Sequence, residues 1–193
     1  GRPFVVNEYV AGQTLEEWLG DEQLSEQMAI VIGGAVAGAL AEIHAEGLVH
    51  GNIDPTGIVL ADNGEIKLLD FGLAGSWTTD DRESGPTQMG RYAAPEQVGL
   101  LERPIDGRAD LYSLGAVLFE QVAGRSVGRV VDDSDVLERH HAVAPPPLAE
   151  AAPDVSPAFG AIIDRLLEGD PDARYQSARR LRADFGRIDQ LNE

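Results

Sequence analysis

The sequence predicts a mainly α-helical domain, a bundle of helices around one central apolar helix with a small β-hairpin beside it. Three observations carry that prediction. Met28, Ile32, Ala35, Ala39 and Ile43 recur at helical spacing between about Ser25 and Ala45 and form one apolar stripe. Leu111 to Val122 is apolar on every side, the pattern of a helix buried at the centre. Ile58-Val59-Leu60 and Ile66-Lys67-Leu68-Leu69 flank Asp62-Asn63-Gly64, a tight-turn signal joining two strands.

The remaining elements follow in order. Phe4-Val5-Val6 is a short β-prone run, and Asn7 to Gly12 reads as a connector. Thr14 can cap a short helix through Trp18 and Leu19, with Glu16 and Glu17 favourably placed in its first turn. Gly47 stands where the long helix needs a C-terminal cap. Leu48-Val49-His50 then leads into an irregular loop containing Pro55. The stretch 72–90 is rich in Gly, Ser, Thr and Asp and reads as a long loop, a kind that is usually functional. Residues 123–147 look irregular, with Pro145-Pro146-Pro147 extended. Two more helices are expected at about 156–168 and 176–191, the second beginning near Ser177.

Composition narrows the function. The 193 residues fit one domain with a sizeable core, and no 20–50-residue repeat points to a solenoid. No run of roughly 18 apolar residues is evident for a membrane span, and no signal peptide is visible. With no cysteine there is neither disulfide nor thiolate chemistry, so a cytoplasmic location is expected. The net charge is −18 and Lys67 is the only lysine, which excludes a nucleic-acid backbone or anionic membrane as partner. Such a surface is either simply well solvated or a docking face for a basic protein.

The motifs gain meaning from their order. His50-Gly51-Asn52 precedes Pro55 and the hairpin; Asp70-Phe71-Gly72 follows it. Tyr92-Ala93-Ala94-Pro95-Glu96 closes the long loop, Asp110-Leu111-Tyr112-Ser113-Leu114-Gly115 opens the apolar helix, and Arg174 lies within Asp170-Pro171-Asp172-Ala173-Arg174-Tyr175. This ordered set resembles the protein kinases over the whole of 1–193. The resemblance implies that 1–12 hold the last small-lobe strand and the hinge, that 13–193 are the helical large lobe, and that the activation segment runs from about 70 to 96. The chain opens at Gly1 rather than Met and reads as a piece of a longer protein, with the N-terminal lobe absent.

By the same resemblance, Glu8, Tyr9 and Val10 would form the hinge facing an adenine edge, with Asn7 as gatekeeper and Val59 as the adenine floor. Asp70 matches the magnesium-binding aspartate, and Phe71 and His50 two members of the regulatory hydrophobic stack. Asp110 would anchor the catalytic-loop backbone, and Glu96 with Arg174 would tie down the end of the activation segment.

Departures from the kinase pattern fall on the chemistry. The family's arginine and catalytic aspartate after the histidine are Gly51 and Asn52, its lysine is Asp54, and its second metal-binding asparagine is Gly57. A neutral amide lacks the basicity to take a proton, and a general base is worth about 10²- to 10⁴-fold. A carboxylate ~4 Å from phosphate oxygens would cost about 4 kcal/mol at an effective dielectric near 20. Met89 replaces the segment threonine that contacts the catalytic loop, and without arginine at position 51 no receiver for a segment phosphate is evident.

Asn52 and Asp54 are therefore read as degenerate catalytic positions, and the expected function is an inactive kinase-like scaffold or regulatory module in bacterial signalling. Two alternatives stand beside it: an atypical Ser/Thr kinase with Asp54 or solvent handling the proton, and an ATP-binding switch without turnover. No cofactor is expected for this piece, ATP and magnesium requiring the small lobe. Protein partners are expected, as is self-association through an apolar face comprising Phe4 to Val6 and Val59 that the small lobe would cover. His44 and His50 read as packing residues rather than a metal pair, His140 and His141 as surface residues. Ser76, Thr78, Thr79, Ser84 and Thr87 are polar loop residues that an active kinase could phosphorylate.

Overall fold

The computed structural model describes residues 8–69, 91–127 and 145–188. Chain order is β1 (Gly12–Thr14), α1 (Leu15–Leu19), α2 (Glu26–Ala45), β2 (Ile58–Ala61), β3 (Ile66–Leu68), α3 (Gly107–Ala123), α4 (Leu148–Ala151), α5 (Pro157–Leu166) and α6 (Ala178–Phe185). Helices dominate, as expected, but the hairpin has a third strand. β1 pairs antiparallel with β2 in the register Gly12–Ala61, Gln13–Leu60, Thr14–Val59, and β3 pairs with the other edge of β2. The sequence hides β1 because Gly12-Gln13-Thr14 shows no apolar alternation. A Cβ at Gly12 would lie 2.3 Å from the Leu60 carbonyl oxygen, so only glycine lets this strand approach β2 so closely.

Local signals account for the helix ends. Thr14 and Glu17 form a reciprocal capping box, Oγ1 of Thr14 accepting from Glu17 N at 3.1 Å and the Glu17 carboxylate accepting from Thr14 N at 3.0 Å. Ser25 caps α2, and Gly47 follows its last turn at φ 73°, donating from its N–H to the His44 carbonyl. α3 begins at Gly107, a turn before Leu111, because Asp106 caps it by accepting from Arg108 N at 2.9 Å. α6 ends at Phe185, short of the predicted 191. Its only buried residues are Ala178, Leu181 and Phe185, the narrow stripe that a short surface helix needs.

α3 is the core. Thirteen of its residues are buried, from Ala109 to Val122, and α2, α4 and α5 pack around it. α2 also differs from expectation: Ala29, Ile32, Gly33, Val36, Ala37, Gly38 and Leu40 are buried, while Met28, Ala35, Ala39 and Ile43 are only half-buried. The single-stripe reading fails because α2 packs against α6, α3 and β3 together, which buries a broad arc. This 20-residue helix, with mean hydropathy 1.7, is also long and apolar enough to cross a bilayer, contrary to the sequence reading. In the fold it is a core helix.

Close helix packing depends on glycine. A Cβ on Gly115 of α3 would lie 2.6 Å from Leu166 Cβ on α5, an atom fixed to its own backbone. Gly115→Ala is therefore expected to lower the unfolding free energy by about 1–3 kcal/mol through overpacking. Urea denaturation of the variant checks this, and an unchanged midpoint would mean that the two helices are not held at this separation.

Candidate functional site

The segment 50–57 connects α2 to β2, and the fold grips it residue by residue. Ile53 is buried in the core and supplies an apolar anchor. Asp110, 1% exposed in the first turn of α3, takes three donors from the opposite side. Its Oδ2 accepts from His50 N at 2.9 Å and lies 2.7 Å from His44 Nε2, while Oδ1 accepts from Gly51 N at 2.7 Å. An ionised carboxylate only accepts, so Nε2 of His44 carries the proton of that contact. The anchoring expected of Asp110 is present, and His44 is a third leg of it that the sequence does not announce.

His50 is fully buried and works through both ring nitrogens. Nε2 lies 2.9 Å from the Leu69 carbonyl oxygen, which can only accept, and Nδ1 accepts from Asn52 N at 3.3 Å. One neutral tautomer satisfies both contacts. Both histidines are thus engaged in packing the loop, as expected.

Gly51 adopts φ 78°, in the left-handed region. A side chain there carries a penalty of roughly 1–2 kcal/mol. Glycine at this position therefore removes the family's arginine and relieves the backbone together. Gly57 is different: a Cβ would meet its nearest neighbours at 3.6 and 3.7 Å, ordinary contact, so space does not demand glycine there.

Asp54 is bound into the loop. Its Oδ1 accepts from Thr56 N at 2.7 Å, from Thr56 Oγ1 at 2.5 Å and from Gly57 N at 3.1 Å. This is an Asx turn, which shapes the approach to β2. Asn52 is half-buried, its backbone held by His50.

The expected adenine-facing residues are placed less favourably. The exposed Glu8 carboxylate takes the Lys67 ammonium at 2.8 Å, and Val10 is half-buried. Val59 is 5% exposed, which overturns its expected contribution to an open apolar face. The reason is its place on the central strand: Thr14 and Lys67 pair with it on either side and share its face. Tyr9, by contrast, is 89% exposed. Asn7, Asp70, Phe71, Gly72, Met89, the candidate phosphorylation sites 76–87, His140 and His141 lie outside the described residues, as does Phe4 to Val6.

As a test of whether magnesium fits, Gly57 offers no side-chain oxygen and one Asp54 oxygen is fully engaged. Among the described residues no cluster of three or more His, Asp or Glu could hold a metal ion. They therefore supply no ligand set by themselves.

The end of the expected activation segment is locked to the same frame. Arg174, fully buried, donates to both oxygens of Glu96 at 2.6 and 2.8 Å, and to the carbonyls of Glu168, Gly169 and Arg108. Its guanidinium also lies over the Tyr112 ring at 4.9 Å. Gln97, which sequence reasoning passed over, bridges segment and loop. Its Oε1 accepts from Ala94 N and its Nε2 donates to the Gly51 carbonyl, each at 2.9 Å. The Gly51 peptide is thus held by Asp110 at one side and Gln97 at the other. Its position directly after Glu96 was the available signal.

Nearby, Arg91 Nε donates to Glu120 Oε2 at 3.2 Å, its Nη2 contacts Oε1, and the Tyr92 hydroxyl donates to the same Oε1 at 3.0 Å. Burial first, and then the Glu120 charge, raise the Tyr92 phenol far above its ordinary pKa, so it stays a donor.

Residues 2–185 match the protein kinase domain. Among similar proteins, a probable serine/threonine-protein kinase of Streptomyces coelicolor is 36% identical over 192 residues, covering 95% of this chain and 28% of its own length. The serine/threonine-protein kinase PknB of Mycolicibacterium smegmatis is 33% identical, covering 96% of this chain and 30% of its own length. Pkn1 of Myxococcus xanthus, also a serine/threonine-protein kinase, is 34% identical, covering 91% and 26%. The chain thus spans under a third of the length of these relatives. With the ordered motifs, the Asp110 anchor and the buried Glu96–Arg174 pair in place, it belongs to the protein kinase domain family.

Proposed function

We propose that this chain is the large lobe of a kinase-like domain that does not transfer phosphate and serves as a scaffold or regulatory binding module in bacterial cytoplasmic signalling. The carrying observation is Asn52 standing at the proton-accepting position of a loop whose structural supports are intact. The amide can orient a hydroxyl but cannot deprotonate it. Asp54 is the nearest substitute. One of its oxygens already receives three hydrogen bonds, which fix the side chain in the turn. Its partners are then proteins, reached through surfaces and not through turnover.

The named relatives favour a second reading, an atypical active Ser/Thr kinase in the full-length protein. Radiolabelled phosphate transfer from ATP and magnesium separates the two. The full-length protein is expected to show no transfer above background, and Asp54→Ala to change nothing. Transfer at an ordinary kinase rate, surviving Asn52→Ala but lost in Asp54→Ala, would reverse the assignment. A thermal shift with ATP and no transfer would instead identify a nucleotide-binding switch.

A further inference from the structure

The chain carries 33 acidic side chains against 15 lysines and arginines, so a cation without a carboxylate partner is the exception. Among the described residues Lys67, Arg91, Arg103, Arg108, Arg174 and Arg180 each meet one. The exposed arginines that meet none gather in one place. Arg179 and Arg182 lie on α6, Arg187 in the turn after it and Arg165 on the adjoining α5, with only Arg125 elsewhere. We propose that the groove between α6 and the C-terminal half of α2 docks an extended acidic segment of a partner protein, with Arg179 and Arg182 receiving its carboxylates.

The groove is open because small residues line it. A cleft of about 420 Å³ lies between Ala41 and Ala45 of α2, Ala178 of α6 and Leu111 of α3, with Arg179 in its wall. Asp106 is the one carboxylate in the lining, and Arg108 already holds it at 2.8 Å. One turn along α6, the Arg182 guanidinium lies against α2, its Cζ 3.5 Å from where a Cβ on Gly38 would stand. Arg179 and Arg182 are three residues apart on one helix, which sets their Cβ atoms about 5–6 Å apart on a shared face. Alternate residues of an extended chain share a face at about 6.6 Å spacing, so an acidic–x–acidic run offers one carboxylate to each arginine. Each planar guanidinium can donate two parallel N–H bonds to its carboxylate.

Helix stability does not account for Arg179. Ser177 caps α6, so Arg179 falls in the first turn, where the helix dipole disfavours a cation, and that turn holds no acidic residue. Arg180 in the same turn is balanced by Asp184 four residues on; Arg179 has no such partner. The negative charge on the rest of the chain repels an acidic partner, but salt screens it beyond about 8 Å at physiological ionic strength, leaving the contacts in the groove to decide binding. This inference does not depend on whether the domain transfers phosphate.

Fluorescence anisotropy on the full-length protein tests it, with a labelled hexapeptide of alternating glutamate and serine as probe and its glutamine-for-glutamate counterpart as control. The acidic peptide is expected to bind about tenfold more tightly than the neutral one. Arg179→Gln and Arg182→Gln should each weaken it about threefold and together about tenfold, the range of exposed ion pairs. Arg125→Gln makes the same charge change at an exposed site past the end of α3 and should leave binding unaltered. Equal binding of the two peptides, or equal weakening by Arg125→Gln and Arg179→Gln, would reduce the effect to general electrostatics and overturn the proposal. No weakening in a double variant that circular dichroism shows to be folded would overturn it as well. Anionic phospholipid vesicles and sedimentation of the protein alone cover the other occupants. If the double variant lost vesicle binding or self-association while binding the acidic peptide as the parent does, the face would belong to a membrane or a second copy, and the proposal would fall.

Discussion

Replacing Arg174 with Met is expected to lower the unfolding free energy by about 3–5 kcal/mol, because it strands the buried Glu96 carboxylate. The side chain is completely enclosed and its partner is 1% exposed, so solvent cannot step in. Three backbone carbonyls lose a charged donor at the same time, those of Glu168, Gly169 and Arg108. Removing both charges, in Glu96→Leu/Arg174→Met, should recover part of the loss, since the unpaired ion is then gone. It should not recover all of it, because the three carbonyls remain without that donor. Urea denaturation of the two variants measures both terms. A single variant within 1 kcal/mol of the parent, as for roughly an exposed pair, would mean that the pair is solvated in solution.

Asp110→Ala is expected to act on a different quantity. It removes the Asp110 acceptor from the buried amide of His50 and the half-buried amide of Gly51, at about 1–3 kcal/mol each, and takes away the Asp110 contact of His44 Nε2. The consequence should be local as well as global: hydrogen exchange at His50 and Gly51 should accelerate relative to amides in α5. Asp110→Asn keeps one acceptor oxygen but turns an amide donor toward other donors, so it should fall between parent and alanine. Unaltered exchange at both amides in the alanine variant would show that Gln97, from the Gly51 carbonyl side, suffices to hold the loop.

The two substitutions divide the frame from the chemistry. Both disturb residues that position the loop, and neither touches Asn52. The frame is strongly held around an asparagine at position 52, so activity alone would be a poor measure of the domain's integrity. Gly51 shows how the two became separable. The position needs a positive φ, so losing the arginine there eases the backbone that Asp110 and Gln97 hold.

Elements with local causes were legible in the sequence. Thr14, Ser25 and Ser177 act through side-chain bonds to amides three residues away, so their helix starts could be read without a fold. Gly64, at φ 86° between β2 and β3, marks its turn for the same reason. The all-round apolarity of α3 told its central place. β1 could not be read, since its strand character comes from pairing with β2 and not from its own side chains. Nor could the burial of α2, whose faces meet three different elements.

The sequence by itself determined the family, the helical architecture and the chemical identity of position 52, because each depends on residue type and order along the chain. The tertiary structure alone decided that Asp54 is bound into a turn, that Val59 is covered, that Gln97 joins segment to loop, and that Arg91 pairs with Glu120. These are relations between residues distant in sequence or between a side chain and a folded backbone, and spacing along a chain carries no record of where a carboxylate's neighbours will stand.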